Sequence, residues 1–232
     1  MGFQAGDIIS YFDMCQEEGT SLQKGMNFHL RNGSSVILMS IRPGSPYEDR
    51  VEEDGRVLIY EGHDVHKRKD GADPKKVDQP MHTENGSLTE NGRFFNAAKN
   101  AARGKKPEIV RVYEKIKSGI WVFNGVFELK DAWQEKTGRS VFKFRLEMIE
   151  QETHSGHREN VDNDIPHNRV IPTAIKLEVW KRDRGQCSIC KSKDNLHFDH
   201  ILPFSKGGSS LVGSNIQLLC ARHNLQKRDK II

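Results

Sequence analysis

The chain has 232 residues, 35% of them hydrophobic and 29% charged, with a formal net charge of +4. This length accommodates one large domain or two modest ones, and the composition fits a soluble, polar protein with modest cores. No run approaches the roughly 18 apolar residues of a membrane span; the N-terminus lacks the charged-then-apolar pattern of a signal peptide, and Gly6 stands where a myristoylation signal wants Ser or Thr, so a cytoplasmic protein is expected.

In chain order, the first strong signals are strand-like. Segments 35–41 (SVILMSI), 56–60 (RVLIY), 109–113 (IVRVY), 120–127 (IWVFNGVF) and 141–148 (VFKFRLEM) are rich in β-branched and aromatic residues, and Gly, Pro, Asn and Asp punctuate them. In the last of these, Phe142, Phe144, Leu146 and Met148 alternate with Lys143, Arg145 and Glu147, so one face is apolar and the other charged. Between the strands, 91–103 reads as a short helix with Phe94, Ala98 and Ala101 at helical spacing. The expected unit is a predominantly antiparallel, curved or barrel-like sheet with one or two helices. Residues 151–170 are polar, break all periodicity and read as a linker. Beyond them, Thr173 is placed to N-cap a helix over 174–184 that Gly185 stops, with Ile175, Val179 and Trp180 free to pack on the C-terminal segment. A short strand 196–200, a Gly-rich loop 205–210, a strand near 216–219 and a helix from Cys220 complete the chain. Three segments therefore emerge: 1–150, a linker 151–170, and 171–232. The charge is uneven across them. Residues 171–232 hold 11 Lys and Arg against 5 Asp and Glu, leaving 25 against 27 before them, as suits a phosphate-binding C-terminal module.

Chemistry concentrates in the last 46 residues. Cys187-x-x-Cys190 and Cys220-x-x-His223 have metal-ligand spacing, and in a reducing compartment that pattern favours metal over disulfide. Four such ligands suit tetrahedral structural zinc. Cys15 stands apart and reads as a small apolar residue. Asp199 and His200 are adjacent on a strand, so one can ligate a divalent metal while the other faces a water; Asn215 and Asn224 are short amides able to orient the histidine and complete a metal shell. A base that activates water and a metal that stabilises the leaving oxygen are the requirements of phosphodiester cleavage. Lys206, Arg222 and Lys227 are candidate phosphate contacts or solvated surface charges, and His197 either lines the site or is an ordinary polar residue on an exposed strand.

Together these segments, with Phe198-Asp199-His200-Ile201-Leu202-Pro203, Lys206-Gly207-Gly208 and 215–227, resemble the HNH endonuclease family in its ββα-metal form over about residues 172–232. The resemblance implies His200 as general base, Asp199 and Asn224 as ligands of a catalytic divalent metal (Mg²⁺, Mn²⁺ or another), and Asn215 orienting His200 through its amide. The sequence departs from the family at Asn224, where a His often stands, and at His223, which replaces Cys as fourth zinc ligand.

An HNH module has little sequence specificity of its own, so the first 150 residues are expected to choose the DNA. Tyr47 and Tyr60 bracket a polar loop; they could sandwich a flat base, with a nearby acid accepting from its amino hydrogens, or be core or surface tyrosines on strands. The order of Tyr47-Glu48-Asp49, Tyr60-Glu61-Gly62-His63-Asp64, Asp78-Gln79, Leu88-Thr89-Glu90-Asn91, Val110-Arg111-Val112 and Phe123-Asn124-Gly125 before Trp133 resembles the SRA (YDG) domain, a reader of modified cytosine, over about residues 25–150. Asn124 takes the Asp place of the Tyr-Asp-Gly segment, and 61–64 is less Gly-rich than the family. The resemblance implies a PUA-like curved β-barrel in an α+β protein, Tyr47 and Tyr60 stacking a flipped base, and Asp49 at its amino group, with Glu48 or Glu52 as alternatives because the spacing is off by one. The whole implies a modification-dependent restriction endonuclease acting on double-stranded DNA with 5-methyl- or 5-hydroxymethylcytosine, with a homodimer expected for a double-strand break. A sequence-reading HNH nicking or homing nuclease and a non-catalytic zinc-stabilised DNA-binding protein are the competing readings.

Overall fold

A computed structural model describes residues 2–67, 71, 73–149, 169–203 and 206–227. The linker expected at 151–170 lies outside these except for Arg169 and Val170, and Ser205 of the Gly-rich loop also lies outside them. In chain order the elements are β1 (Ile8–Ile9), α1 (Tyr11–Glu17), β2 (Met26–Asn27), β3 (Ser35–Met39), β4 (Arg50–Glu52), β5 (Val57–Glu61), α2 (Glu90–Ala102), β6 (Ile109–Lys117), β7 (Ile120–Thr137), β8 (Arg139–Met148), α3 (Thr173–Arg182), β9 (Leu196–His200), β10 (Ile216–Cys220) and α4 (Ala221–Lys227). Mixed α+β architecture with a sheet-rich N-terminal part is as expected from the sequence.

The first eight strands form one sheet in the order β2-β3-β6-β7-β8-β5-β4, with β1 paired to β7. Its strands pair antiparallel except β3 with β6. β7 runs ten residues past the expected end at Phe127. A register shift between Leu129 and Asp131 explains why. The extra residue moves Ala132 onto the buried face already occupied by Phe127 and Leu129, so the period of two is broken at the point where the sequence pattern fades. α1 was not legible as a helix. Its seven residues carry one buried apolar side chain, Met14, and the helix is set by a capping box between Ser10 and Asp13.

The main core lies between α2 and the sheet, where Phe94, Ala98, Phe142, Phe144 and Leu146 are fully buried; large side chains of this kind contribute roughly 1.5–3 kcal/mol each. On the opposite face of β8 the alternation expected for Lys143 fails: its side chain is 1% exposed and its ammonium lies 2.9 Å from the buried Glu61 carboxylate. Val170 is also buried in the main core, its N–H donating to the Gly55 carbonyl at 3.0 Å, so at residue 170 the chain is packed on the sheet.

A second apolar cluster joins the two halves of the chain. Ile116 and Val122 from β6 and β7 pack with Ile171, Val179, Leu196, Phe198, Ile216, Leu218 and Leu219. α3 does pack through Val179, with Ile175 and Trp180 partly buried. Its cap differs from expectation. Pro172 is the N-cap and has no polar side-chain atom with which to cap; Thr173 is the first helical residue, and its hydroxyl donates to the buried Glu114 carboxylate.

Candidate functional site

The C-terminal module is a β9–β10 hairpin followed by α4, with register Asp199 opposite Gln217 and His200 opposite Ile216. Cys187, Cys190, Cys220 and His223 present four ligand atoms within 4.8 Å of one another. Sulfur-to-sulfur and sulfur-to-nitrogen separations are 3.7 Å for Cys190–Cys220, 3.4 Å for Cys187–His223 Nδ1 and 3.3 Å for Cys220–His223 Nδ1. Tetrahedral zinc, with bonds of about 2.3 Å to sulfur and about 2.0 Å to nitrogen, requires about 3.8 Å and about 3.5 Å for these pairs. The donor set therefore fits a metal ion, as the sequence spacing implied. Burial opposes ionisation of Cys187, but backbone N–H groups of Cys190, Cys220 and Ile189 together with His223 outweigh it and bring its thiol down to about 6, which favours the thiolate a metal needs.

The residues expected to do chemistry lie on β9, on α4 and in the loop before β10. His200 Nε2 is 2.8 Å from Ser210 Oγ, and burial lowers the imidazole pKa, keeping it neutral. Asp199 Oδ2 lies 2.9 Å from the Lys227 ammonium and 3.4 Å from Gln217 Nε2. Lys227 also donates to the His200 carbonyl. Its side chain is 1% exposed, so of the two readings the sequence allowed, a solvated surface charge does not apply, and the ammonium lies inside the module against Asp199. Lys206 and Arg222 are exposed. Asn224 is half-buried one turn before Lys227, on the same face of α4.

Asn215 does not orient His200 directly. Its side chain accepts from Leu202 N at 2.8 Å and donates to the Leu202 and Ser209 carbonyls at 3.0 and 3.1 Å. It fastens the loop that carries Ser210, and Ser210 in turn holds the imidazole. Gly208 makes this fit possible, since a Cβ there would fall 1.8 Å from the Leu202 carbonyl oxygen. Ser210 and Gln217 were missed in the sequence because their partners are set by loop closure and strand register. His197 likewise has a partner that spacing does not show: its Nδ1 is 2.8 Å from Asp7 Oδ1 at the other end of the chain.

On the large sheet, Tyr47 and Tyr60 lie next to one imidazole. Their ring centroids are 6.1 Å and 6.5 Å from that of His63, and the Tyr60 hydroxyl is 3.3 Å from His63 Nε2. Burial drops His63 to about 4, so it is neutral near pH 7. The Lys75 ammonium sits 4.0 Å from the centre of the Tyr47 ring. The loop holding His63 is pinned by the other signature residues. Asn91 exchanges hydrogen bonds with the His63 backbone, both at 2.8 Å, and Gln79 donates to the Gly62 carbonyl at 2.6 Å. A Cβ at Gly62 would meet Asn91 Oδ1 at 2.6 Å, which accounts for glycine there.

Asp49 is buried, accepting from Glu61 N at 2.9 Å and Ser40 N at 3.4 Å. Burial pushes its carboxyl up to about 7, against the pull of those two N–H groups. Of the alternative acids, Glu48 is 88% exposed and Glu52 pairs with Arg50 at 2.7 Å. Glu61, buried between Lys143 and Arg139 at 2.9 and 3.3 Å, was not singled out in the sequence.

An eight-stranded sheet carrying a loop with Tyr47 is joined to a hairpin-and-helix module whose Cys3His cluster could hold a metal ion, so the chain is a two-part protein. The family model of the SAD/SRA domain matches residues 1–152, and that of the HNH endonuclease matches residues 187–230. The chain belongs to the SAD/SRA family and carries an HNH region. It is similar to two Arabidopsis thaliana histone-lysine N-methyltransferase family members: SUVH9, 29% identical over 205 residues, and SUVH2, 26% identical over 256 residues. These matches cover 84% and 96% of this chain but 29% and 37% of the relatives' own length. Among solved structures, the SUVH5 SRA domain in complex with methylated CHH DNA is 24% identical with a TM-score of 0.44, covering 65% of this chain and 92% of that one. The same SRA domain bound to fully hydroxymethylated CG DNA is 24% identical with a TM-score of 0.43, covering 69% and 95%. Among the described residues no helix is long and apolar enough to cross a membrane.

Proposed function

We propose that this protein is a modification-dependent DNA endonuclease whose SRA domain flips out a 5-methyl- or 5-hydroxymethylcytosine and whose HNH module hydrolyses a nearby phosphodiester. The observation that carries the reading is the presence, on one chain, of an SRA domain with a tyrosine-lined loop and an HNH region that contains His200, Asp199 and Asn224 as well as a Cys3His cluster. A purely structural zinc knuckle has no need of those three.

In this reading, Tyr47 and Tyr60 stack the extruded base, and Asp49 Oδ2, which holds only one long hydrogen bond, has lone-pair capacity left for the base's amino group. Cys187, Cys190, Cys220 and His223 hold a structural zinc. A divalent ion held by Asp199 and Asn224 would supply charge stabilisation at the attacked phosphate and the leaving oxygen. His200, neutral and held by Ser210, accepts the proton of the attacking water. The Lys227 ammonium, 2.9 Å from Asp199 Oδ2, balances the charge of that carboxylate. One such site cuts one strand, so a double-strand break requires a second protomer or a second visit.

The test is digestion of duplexes of identical sequence that are unmodified, methylated, hydroxymethylated or glucosylated, each with and without Mg²⁺ or Mn²⁺. Cleavage is expected only with the metal and on modified DNA, and His200→Ala should abolish it. Equal cutting of modified and unmodified DNA would point to a sequence-reading nuclease. Undiminished metal-dependent cutting by His200→Ala would remove the catalytic assignment.

A further inference from the structure

The two halves of the chain are fastened to each other by more than the segment that connects them. Three kinds of contact meet at the junction. The second apolar cluster is continuous from Ile116 and Val122 of the sheet to Leu196, Phe198 and Leu218 of the HNH hairpin. Backbone hydrogen bonds tie both sides to the N-terminal turn: Gly6 N to Phe123 O at 2.8 Å, Phe123 N to Asp7 O at 2.9 Å, and Phe198 N to Gly6 O at 3.0 Å. Polar pairs cross the junction at two places. Asp7 meets His197 at 2.8 Å. The Lys176 ammonium of α3 lies 2.6 Å from both Glu114 Oε2 and Asn124 Oδ1, with Lys176 and Glu114 each 1% exposed. The catalytic loop itself faces the sheet domain, where Gly207–Leu211 and Asp54 line a cleft of about 270 Å³.

These contacts bear on where the DNA is cut. If residues 151–168 were the sole connection, a flexible tether of about 18 residues would let the two sites sample separations spread over roughly 20–25 Å. At about 3.4 Å per nucleotide along a strand, that spread covers about seven positions. A docked module presents one separation.

We propose that this docked junction, and not the connecting segment, sets the distance between the modified base and the cut, with Lys176, Glu114, Asp7 and His197 acting as positioning residues. The proposal rests on the SRA–HNH reading above. His200 and its neighbours ride on β9, and β9 is bonded through Gly6 and Asp7 to β7 of the sheet. The cut offset is therefore a property of packing.

The experiment maps cut positions on end-labelled duplexes carrying a single modified cytosine, and measures the radius of gyration of the DNA-free protein by small-angle X-ray scattering. Three variants are compared with the wild type. The first inserts ten Gly/Ser residues between Gly156 and His157. The second combines Asp7→Ala with Glu114→Gln, loosening both polar contacts. The third, Glu114→Leu with Lys176→Met, replaces the buried pair by apolar packing. The insertion should leave the offset unchanged and enlarge the protein by no more than the added residues. The loosened variant should spread the cuts over several positions and swell, whereas a loss of folding alone would lower the rate without moving them. The apolar replacement should restore a single offset. A cut that shifts or broadens in the insertion variant overturns the proposal, as does an unshifted, unspread cut in the loosened one. If the wild type cuts modified and unmodified DNA alike, or not at all, the functional reading fails instead, and scattering still decides the docking: swelling of the insertion variant refutes it, compactness supports it.

Discussion

With Asp49 at the base's amino group, as proposed, one buried carboxyl links folding to recognition. Raised to about 7, it binds its proton more tightly in the folded chain than in the unfolded one. Its contribution to stability therefore declines as pH rises from the ordinary carboxylate range toward 7. Recognition runs the other way, because an ionised carboxylate accepts from a cytosine amino group and a protonated one offers a hydrogen instead. The ionised fraction of a group titrating near 7 rises about tenfold between pH 6 and pH 8. Glu61 and Lys143, the charged neighbours that face it, oppose one another in effect. Affinity for methylated DNA is accordingly expected to rise several-fold over that interval in the wild type and to stay flat in Asp49→Asn, measured by fluorescence anisotropy against unmodified DNA. An identical pH profile in the variant would exclude Asp49 from the base contact. Residues of this kind divide by how local their partners are. The Cys3His set was legible because each pair of ligands sits within one turn or knuckle. The partners of Lys143, Lys227 and Asn215 were not legible because they lie 82, 28 and 13 residues away in sequence, at Glu61, Asp199 and Leu202, and nothing in local spacing shows the fold closing over them.

At the scale of elements, the small β9–β10–α4 unit is built around its Cys3His cluster, which we propose to be a structural zinc site. Cys187 and Cys220 belong to the apolar cluster that also contains Leu196, Phe198 and Leu218, so the ligands and the core beneath them form together. Structural zinc contributes an apparent ~10–16 kcal/mol to the folding of comparable peptides at neutral pH, more than a hairpin and a seven-residue helix can supply themselves. The large sheet draws on a separate core around Phe94, Phe142 and Phe144. Chelation should therefore melt residues 187–227 first, abolish cleavage, and leave binding of methylated DNA in place. Hydrogen exchange localises the loss: protection should vanish in β9 and β10 and persist in β6–β8. Retained protection in both regions after complete metal removal would show that the cluster is dispensable for the fold. Here too the sequence was uneven. Strands β3, β5, β6 and β8 were visible from β-branched runs, whereas the second half of β7 was hidden by its bulge and α1 by its shortness.

For the whole molecule, the buried Glu114–Lys176 pair is the feature least accessible from sequence and most consequential for how the halves associate. Its partners stand 62 residues apart, and each alone reads as an ordinary surface charge on a strand or a helix. Burial by itself would raise the Glu114 carboxyl, but Lys176 first, then Thr173 and Asn124, outweigh it and hold it below its usual value. A carboxyl lowered in the folded state stabilises that state above the ordinary carboxylate range and loses the contribution as pH falls through its native value. Removing one partner is costly because the other remains buried and unpaired: Lys176→Met should destabilise the chain by about 3–5 kcal/mol at pH 7. Replacing both, as in Glu114→Leu with Lys176→Met, should recover most of that loss, since matched apolar packing needs no charge to be desolvated. Urea denaturation separates these outcomes. The single variant should show a lowered midpoint at pH 7. The double variant should lie near the wild type there and lack the decline in acid that Glu114 gives the wild type. A double variant as unstable as the single one would mean that the junction needs the hydrogen bonds from Thr173 and Asn124 as such, and that burial of apolar surface alone does not hold the HNH module on the sheet.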